Sequence, residues 1–219
     1  MGLSKNQIIP LVITGTTAEG SGIGRAETGD ESSGMAVIVP FTAVGDRIRC
    51  RILKVEKRLA YGRVEELLIP SGDRLPPEEG CPAFGRCGGC AWRHVSYEAE
   101  LRYKQQRVAD ALARIGGLDA EVLPIIGSER DGRYRNKAQY PVVPGLYRPM
   151  IGFYAPRSHR VVEQHDCLLQ PEIFRTVVDI VGRWAKHTGL PIYVETTGKG
   201  ILRLLYIREA EATGEIQVC

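Results

Sequence analysis

The sequence predicts a mixed fold: an OB-like β-barrel at the N-terminus, followed by an α+β domain that carries a cysteine-rich loop. Residues 8–69 alternate apolar and polar side chains between turns rich in glycine, aspartate and lysine, which is typical of short strands. A polar segment with three prolines follows, and then three cysteines within ten residues. Two helical patterns and several strand-like runs complete the chain. We therefore expect a barrel over residues 1–70, a linker and cysteine loop over 71–95, and an α+β domain over 96–219.

Composition excludes several protein classes. The chain has 219 residues, a hydrophobic content of 43% and a formal net charge of +3. Neither a charged and apolar leader nor a run of 18 apolar residues occurs in it, so we expect a cytoplasmic protein without a membrane partner. Thiols stay reduced in that compartment, and six cysteines then favour metal binding or chemistry over disulfides.

The α+β part has clear helix boundaries. Ser96 is a suitable N-cap for a helix that ends at the Gly116-Gly117 pair, and a second helix is expected between Pro171 and Gly189. The final residues, GEIQVC, resemble the opening of a strand. We therefore expect the chain to be incomplete at its C-terminus; the alternative is that this strand pairs with another polypeptide. The predicted strands are AQYPVV at 138–143, MIGFY at 150–154, PIYVETT at 191–197 and ILRLLYIRE at 201–209.

The cysteine loop needs something other than packing to hold it. Cys81, Cys87 and Cys90 form a C-x5-C-x2-C pattern with almost no aliphatic residue between them. Cys167, with polar neighbours just before the second helix, is the best candidate for a distant fourth ligand, whereas Cys50 lies within a predicted strand. An iron–sulfur cluster accepts this spacing, because its irons are separate corners. Zinc with His94 or His165 is an alternative, as is no metal.

Basic residues are concentrated in two places. Residues 130–160 contain seven lysines and arginines among tyrosines and Phe153, and a second basic strip, residues 47–63, lies on the predicted barrel. Cations neutralise phosphates and exposed aromatic rings stack on unpaired bases, so the pattern favours RNA. The alternative is that the tyrosines belong to the core and the arginines line a solvated face.

Three segments resemble one family. CPAFGRCGGCAWRH, YRNKAQYPV and GFYAPRSHRVVEQHDCLLQ are similar to the SAM-dependent 23S ribosomal RNA (uracil-C5)-methyltransferases that carry an iron–sulfur cluster, and the first seventy residues resemble their N-terminal TRAM domain. The resemblance implies that Cys81, Cys87, Cys90 and Cys167 bind a [4Fe–4S] cluster and that ribosomal RNA is the partner. The candidate RNA-binding residues are Lys54, Lys57, Arg58, Arg133, Tyr134, Arg135, Asn136, Lys137, Gln139 and Phe153.

The catalytic motifs of that family are missing. Its SAM-binding glycine loop, its Ser-Cys-Asn-Pro nucleophile motif and its glutamate base do not occur in these residues. We therefore expect this chain to be the RNA-recognition half of a methyltransferase and to be inactive alone. SAM would be bound by a methyltransferase domain outside this chain. If that domain is encoded separately, it is a partner of this chain. The alternative is a stand-alone iron–sulfur or zinc module that binds RNA or senses oxidation.

Overall fold

Two compact units make up the protein. The structure is a computed structural model that describes residues 2–27, 29 and 34–219. Contacts group Met1–Gly80 with Ala91–Gly127, here called the barrel unit. They group Cys81–Cys90 with Ser128–Cys219, here called the cysteine unit. These units do not follow the predicted boundaries at residues 70 and 95, and the division into domains stays a prediction.

The barrel is closed by five strands in the order β1-β2-β3-β5-β4. Neighbouring strands are antiparallel except β3 and β5, which are parallel. Alternate side chains such as Ile9, Leu11 and Ile13 point into a continuous core, as the alternation in the sequence predicts. The strands are β1 Ile8–Thr16, β2 Gly22–Arg25, β3 Ala36–Val39, β4 Arg47–Val55 and β5 Leu59–Ile69.

Cys50 belongs to this core. Its side chain is fully buried on β4, and burial raises the pKa of its thiol to about 11. The neighbouring strand passes so close that a Cβ atom at Gly62 would lie 2.2 Å from the Cys50 Sγ. Glycine at position 62 therefore makes room for the sulfur. Cys50 is a strand residue, as the pattern predicts, but it is fully buried rather than half-buried.

The segment expected to be a linker is fixed to the barrel. The Asp46 side chain is fully buried and forms an ion pair with Arg74, 2.7 Å from Oδ2 to Nη2. Burial favours the neutral acid, but hydrogen bonds from Arg74 and from the N–H groups of Ala43 and Ser71 hold the pKa of Asp46 below its usual range. Residues 71–74 are thus held by a charged network rather than left as a flexible tether.

Helix α1, Tyr97–Arg114, also packs in the barrel unit. Ser96 caps it, since its Oγ accepts a hydrogen bond from the Ala99 N–H at 3.2 Å. The Tyr103 hydroxyl donates to Asp73 at 2.7 Å and accepts from the N–H of Val44. These contacts explain why α1 groups with the barrel, although sequence order suggested that it opens the second domain.

A five-stranded antiparallel sheet, β10-β9-β6-β7-β8, forms the cysteine unit together with helix α2. Pro171 precedes α2, and Gly189 ends it in the left-handed conformation at φ 63°, as predicted. The buried helix face, with Phe174 and Val178, packs with Tyr140 and Ile207 from one face of the sheet. The elements are β6 Lys137–Val143, β7 Met150–Tyr154, β8 Val161–Glu163, α2 Glu172–Thr188, β9 Leu204–Ala210 and β10 Glu215–Val218.

One predicted strand is wrong. Residues 191–197 form only isolated bridges, because the chain turns back on itself through Gly198 and Gly200, both at positive φ. The N–H of Val194 donates to the Lys199 carbonyl at 2.8 Å, so the segment uses its hydrogen bonds locally. Strand β9 consequently begins at Leu204 rather than at residue 201. Among the described residues, no helix is long and apolar enough to cross a membrane.

Candidate functional site

Four of the six cysteines surround one cavity in the cysteine unit. Cys81, Cys87 and Cys90 come from the loop that precedes α1 in sequence, and Cys167 comes from the turn between β8 and α2. All four are free and partly buried. The structure therefore brings together the four thiols that the sequence singled out. The other lining residues are Ala83, Phe84, Gly89, Arg135, Phe153, Gln164, Leu169 and Gln170.

Short-range hydrogen bonds shape the cysteine loop. The Phe84 N–H donates to the Cys81 carbonyl at 2.9 Å, and the Cys87 N–H donates to the Ala83 carbonyl at 2.8 Å. The Gly88 N–H then binds the carbonyl of Tyr154 at the end of β7, where a Cβ at position 88 would lie 3.0 Å from that oxygen. A side chain at this position would crowd the backbone of residues 154 and 156, and glycine avoids that contact. The glycine content that prevents a core thus lets the loop dock on the sheet.

The sulfur atoms lie in a partly desolvated environment. Burial raises the pKa of Cys87 and Cys167, and it raises the pKa of Cys90 to about 11. Neighbouring thiols raise these pKa values further, while the guanidinium of Arg135 lowers them. Without a cation, these thiols are therefore protonated at neutral pH. A metal cation that binds these sulfurs stabilises the thiolate form and offsets the repulsion between neighbouring thiolates. Metal binding therefore releases the thiol protons.

The donor set fits a thiolate-bound metal group. Four cysteines match the number of ligands that a [4Fe–4S] cluster takes at its separate irons, and the number in a four-thiolate zinc site. Two N–H groups face the sulfurs: Gly89 N lies 3.4 Å from Cys87 Sγ, and Gln164 Nε2 lies 3.8 Å from Cys81 Sγ. Such contacts tune iron–sulfur clusters. Within residues 2–27, 29 and 34–219, no three Cys, His, Asp or Glu side chains are grouped closely enough to hold a single ion.

The histidines of the zinc alternative lie elsewhere. His165 is only two residues from Cys167, but its ring lies between Glu163 and Asp179, 3.4 Å from each carboxylate, and does not line the cavity. His94 belongs to the barrel unit and is buried there. The sequence distance between these histidines and the cysteines was therefore misleading.

Arg133 does not have the environment expected of a phosphate-binding residue. Its guanidinium pairs with both carboxylate oxygens of Asp166, at 2.6 and 3.2 Å, and donates to the carbonyls of Cys167 and Gln170. The hydrogen bonding of Arg133 to the Asp166 carboxylate, together with the positive charge of Arg133, holds the pKa of Asp166 below its usual range. The side chain predicted to contact RNA is thus engaged with the loop that carries Cys167.

The rest of the YRNKAQ segment is exposed. Tyr134 is 52% exposed, and Arg135, Asn136, Lys137 and Gln139 are exposed as well. Lys137 and Gln139 alternate with the buried Ala138 and Tyr140, so they share the face of β6 opposite the helix-covered core. This placement is compatible with the predicted RNA contacts.

Phe153 has a different environment. Its ring is half-buried, lies 4.8 Å from the ring of Tyr140 between centroids, and lines the cysteine cavity. That environment favours a packing role over stacking on a base.

Strand β9 adds residues that the sequence analysis missed. Arg208 is the direct partner of Lys137 across the sheet, and Tyr206 is the partner of Gln139. Two exposed cations opposite each other repel in a sheet unless an anion lies between them. The alternation of LLYIREA placed Arg208 and Tyr206 on one face, but only the register shows which residues of β6 they join.

The basic strip on the barrel is largely neutralised. Arg51 forms a bidentate pair with Glu65, Arg49 pairs with Glu66, and Lys54 lies 2.6 Å from Glu56. Lys57 and Arg58, in the exposed turn between β4 and β5, form no ion pair within the described part of the chain. Of the three barrel residues predicted to bind RNA, these two therefore have a charge that could contact a phosphate.

Comparison with known proteins gives a consistent result. Residues 3–64 match the TRAM domain family. The chain is 36% identical over 216 residues to an uncharacterized RNA methyltransferase of Clostridium tetani, covering 99% of this chain and 45% of that protein. It is 38% identical over 217 residues to an uncharacterized RNA methyltransferase of Halalkalibacterium halodurans, covering 99% of this chain and 46% of the relative.

A solved structure shares the fold. The tRNA (uracil-54, C5)-methyltransferase of Pyrococcus abyssi, crystallised with S-adenosyl-L-homocysteine, superposes with a TM-score of 0.66 at 22% identity. The match covers 95% of this chain and 44% of that protein. Residues 3–64 are therefore similar to a TRAM domain, and the chain spans about half the length of the proteins named RNA methyltransferases that it matches.

Proposed function

We propose that this chain is the RNA-binding, cluster-holding part of a SAM-dependent RNA uracil-C5 methyltransferase, which makes 5-methyluridine. The observation that carries the proposal is the convergence of Cys81, Cys87, Cys90 and Cys167 on one cavity. The similarity to proteins named RNA methyltransferases and the TRAM match support the same class.

The four cysteines would hold a [4Fe–4S] cluster. When bound, it would supply a cross-link between the loop of residues 81–90 and the Cys167 turn. The chain's own contribution is to keep water away from the sulfurs with Phe84, Phe153 and Leu169, and to balance thiolate charge with Arg135. This is a structural role, and it places no step of methyl transfer on the cluster.

The open face of the sheet in the cysteine unit would bind RNA. Lys137 and Arg208 would neutralise phosphates, and Tyr134 would stack on an unpaired base. Lys57 and Arg58 would add contacts from the barrel unit. Ribosomal RNA is the proposed partner, on the family resemblance in the cysteine and YRNKAQ segments.

Methyl transfer to C5 requires groups that these residues do not provide. In the proposed reaction a cysteine thiolate adds to C6 of a flipped-out uridine, and C5 takes the methyl group of SAM with S-adenosylhomocysteine as the leaving group. A base then removes the C5 proton, and elimination of the thiolate from C6 frees the enzyme. Neither the nucleophile motif nor the SAM loop of the family occurs in the sequence. We therefore assign RNA binding, and not the chemical step, to this chain.

Labelled SAM and purified RNA test the proposal. The 219-residue protein should bind ribosomal RNA fragments that contain a uridine stem-loop, with affinity that falls as salt rises. It should incorporate no methyl group into ribosomal RNA or tRNA. Binding to tRNA in preference to ribosomal RNA would reject the proposed partner. Methyl transfer by the purified chain would reject the division of labour.

A further inference from the structure

We infer that Arg133 is the positioning residue for Cys167: it fixes the backbone of the turn that presents the fourth thiol to the cavity. The inference rests on the proposed function, because it concerns the ligand set proposed above. It also replaces the role in phosphate binding that the sequence suggested for Arg133.

One guanidinium serves four acceptors in this turn. Arg133 Nη1 lies 2.6 Å from Asp166 Oδ1, 3.0 Å from the Cys167 carbonyl and 2.9 Å from the Gln170 carbonyl. Its Nη2 lies 3.2 Å from Asp166 Oδ2. The acceptors flank Cys167 on both sides and include its own carbonyl group. The planar fork of arginine suits this task, since a lysine ammonium has no fork to span the set.

Main-chain hydrogen bonds also join the Arg133 segment to the Cys167 turn. The Arg133 N–H donates to the Leu168 carbonyl at 2.8 Å, and the Arg135 N–H donates to the Leu169 carbonyl at 2.8 Å. Arg133 adopts a positive φ of 55°, which a residue with a Cβ rarely accepts. Such a backbone persists where surrounding contacts over-determine it, and here those contacts are with the Cys167 turn.

The position of Cys167 depends on these contacts more than the positions of the other ligands do. Cys81, Cys87 and Cys90 share one loop with its own hydrogen bonds, whereas Cys167 arrives from a separate turn. Loss of the guanidinium would remove four side-chain contacts from that turn. The two main-chain bonds from residues 133 and 135 would remain, together with the bond from the Gln170 N–H to the Cys167 carbonyl and that from Gln164 Nε2 to the Asp166 carbonyl. The closed ligand set would then open at Cys167.

Iron release from anaerobically loaded protein tests the inference. Arg133→Ala should lose half its iron at a chelator concentration about 10- to 100-fold lower than the wild type, since removing a partner that orients a ligand typically costs that much in metal affinity. Arg133→Lys should fall between them. Arg130→Ala is the matched control, because Arg130 is exposed, lies in the same segment and pairs with Glu211. It should lose half its iron at the wild-type chelator concentration.

A second measurement works without metal. In the metal-free chain, alkylation of Cys167 should speed up in Arg133→Ala, while alkylation of Cys87 and of the core Cys50 stays unchanged. Unaltered iron release together with unaltered Cys167 alkylation would overturn the inference. The inference would also be overturned if Arg133→Ala lowered the slope of log RNA affinity against log salt by about 0.7, the value of one phosphate contact. If the wild type takes up no iron, the proposed cluster fails, and alkylation still decides whether Arg133 positions Cys167.

Discussion

Replacing Lys137 and Arg208 should weaken RNA binding and stabilise the fold at the same time. The two residues are cross-strand partners on β6 and β9, and both side chains are exposed. Each phosphate contact on a single strand contributes about 0.7 to the slope of log affinity against log salt. The double variant Lys137→Gln with Arg208→Gln should therefore lower that slope by about 1.4, and each single variant by about half as much.

Stability should change in the opposite direction. Like charges directly opposite in a sheet cost about 0.2–1 kcal/mol, so removing either one should raise the free energy of unfolding by about that amount. Fluorescence anisotropy with a labelled uridine stem-loop and urea unfolding measure the two quantities on the same protein. A loss of RNA affinity therefore cannot be attributed to unfolding.

The control is Arg183→Gln, which removes the same charge from the exposed side of α2. Helix α2 packs on the opposite face of the sheet, so the slope should stay at the wild-type value. If the double variant keeps both its affinity and its slope, or if Arg183→Gln lowers the slope equally, the assignment of RNA to the open face is refuted.

Three other predictions concern the supports of the two units. Arg74→Ala leaves the buried Asp46 charge without its ion pair and should lower the free energy of unfolding in urea by about 3–5 kcal/mol. The control Arg102→Ala breaks an exposed ion pair and should lower it by under about 1 kcal/mol. Similar losses in both variants would contradict this expectation. Because the pKa of Asp46 is lowered from 3.8 in the folded protein, its stabilising contribution is complete above that value and is lost as the pH falls further. An acid titration should therefore show a smaller stability loss below that pH for Asp46→Asn than for the wild type. Phe153→Ala should lower the free energy of unfolding by about 2–4 kcal/mol without weakening RNA binding, and a loss of about 1–3 kcal/mol of binding at an unchanged salt slope would return Phe153 to the RNA surface.

Local signals in the sequence predict much of this fold. Ser96 caps α1, and Gly189 ends α2, because capping depends only on residues within a turn of the helix end. The barrel alternation and the burial of Cys50 follow from the same local periodicity. The three clustered cysteines also mark their cavity, since their C-x5-C-x2-C spacing is itself a local signal of a metal-binding loop.

Contacts between distant segments could not be predicted in this way. The pairing of Arg133 with Asp166 depends on how the segment before β6 meets the turn after β8, and the sequence placed Arg133 on an RNA surface instead. Arg49 belongs to the basic strip in the sequence, but the register of β4 and β5 places it opposite Glu66, and the two side chains form an ion pair. Register likewise joins Arg208 to Lys137. A count of charges along the chain contains none of this information.

The iron content of anaerobically purified protein tests the central claim most directly. The wild-type chain should be brown and contain about four irons and four sulfides. Cys167→Ser should lose nearly all of both, because a closed set of four thiolates has no spare ligand. Cys50→Ser should keep the wild-type content, since its sulfur is in the barrel core. Stoichiometric zinc without iron in the wild type, or full iron in Cys167→Ser, would contradict the four-cysteine cluster.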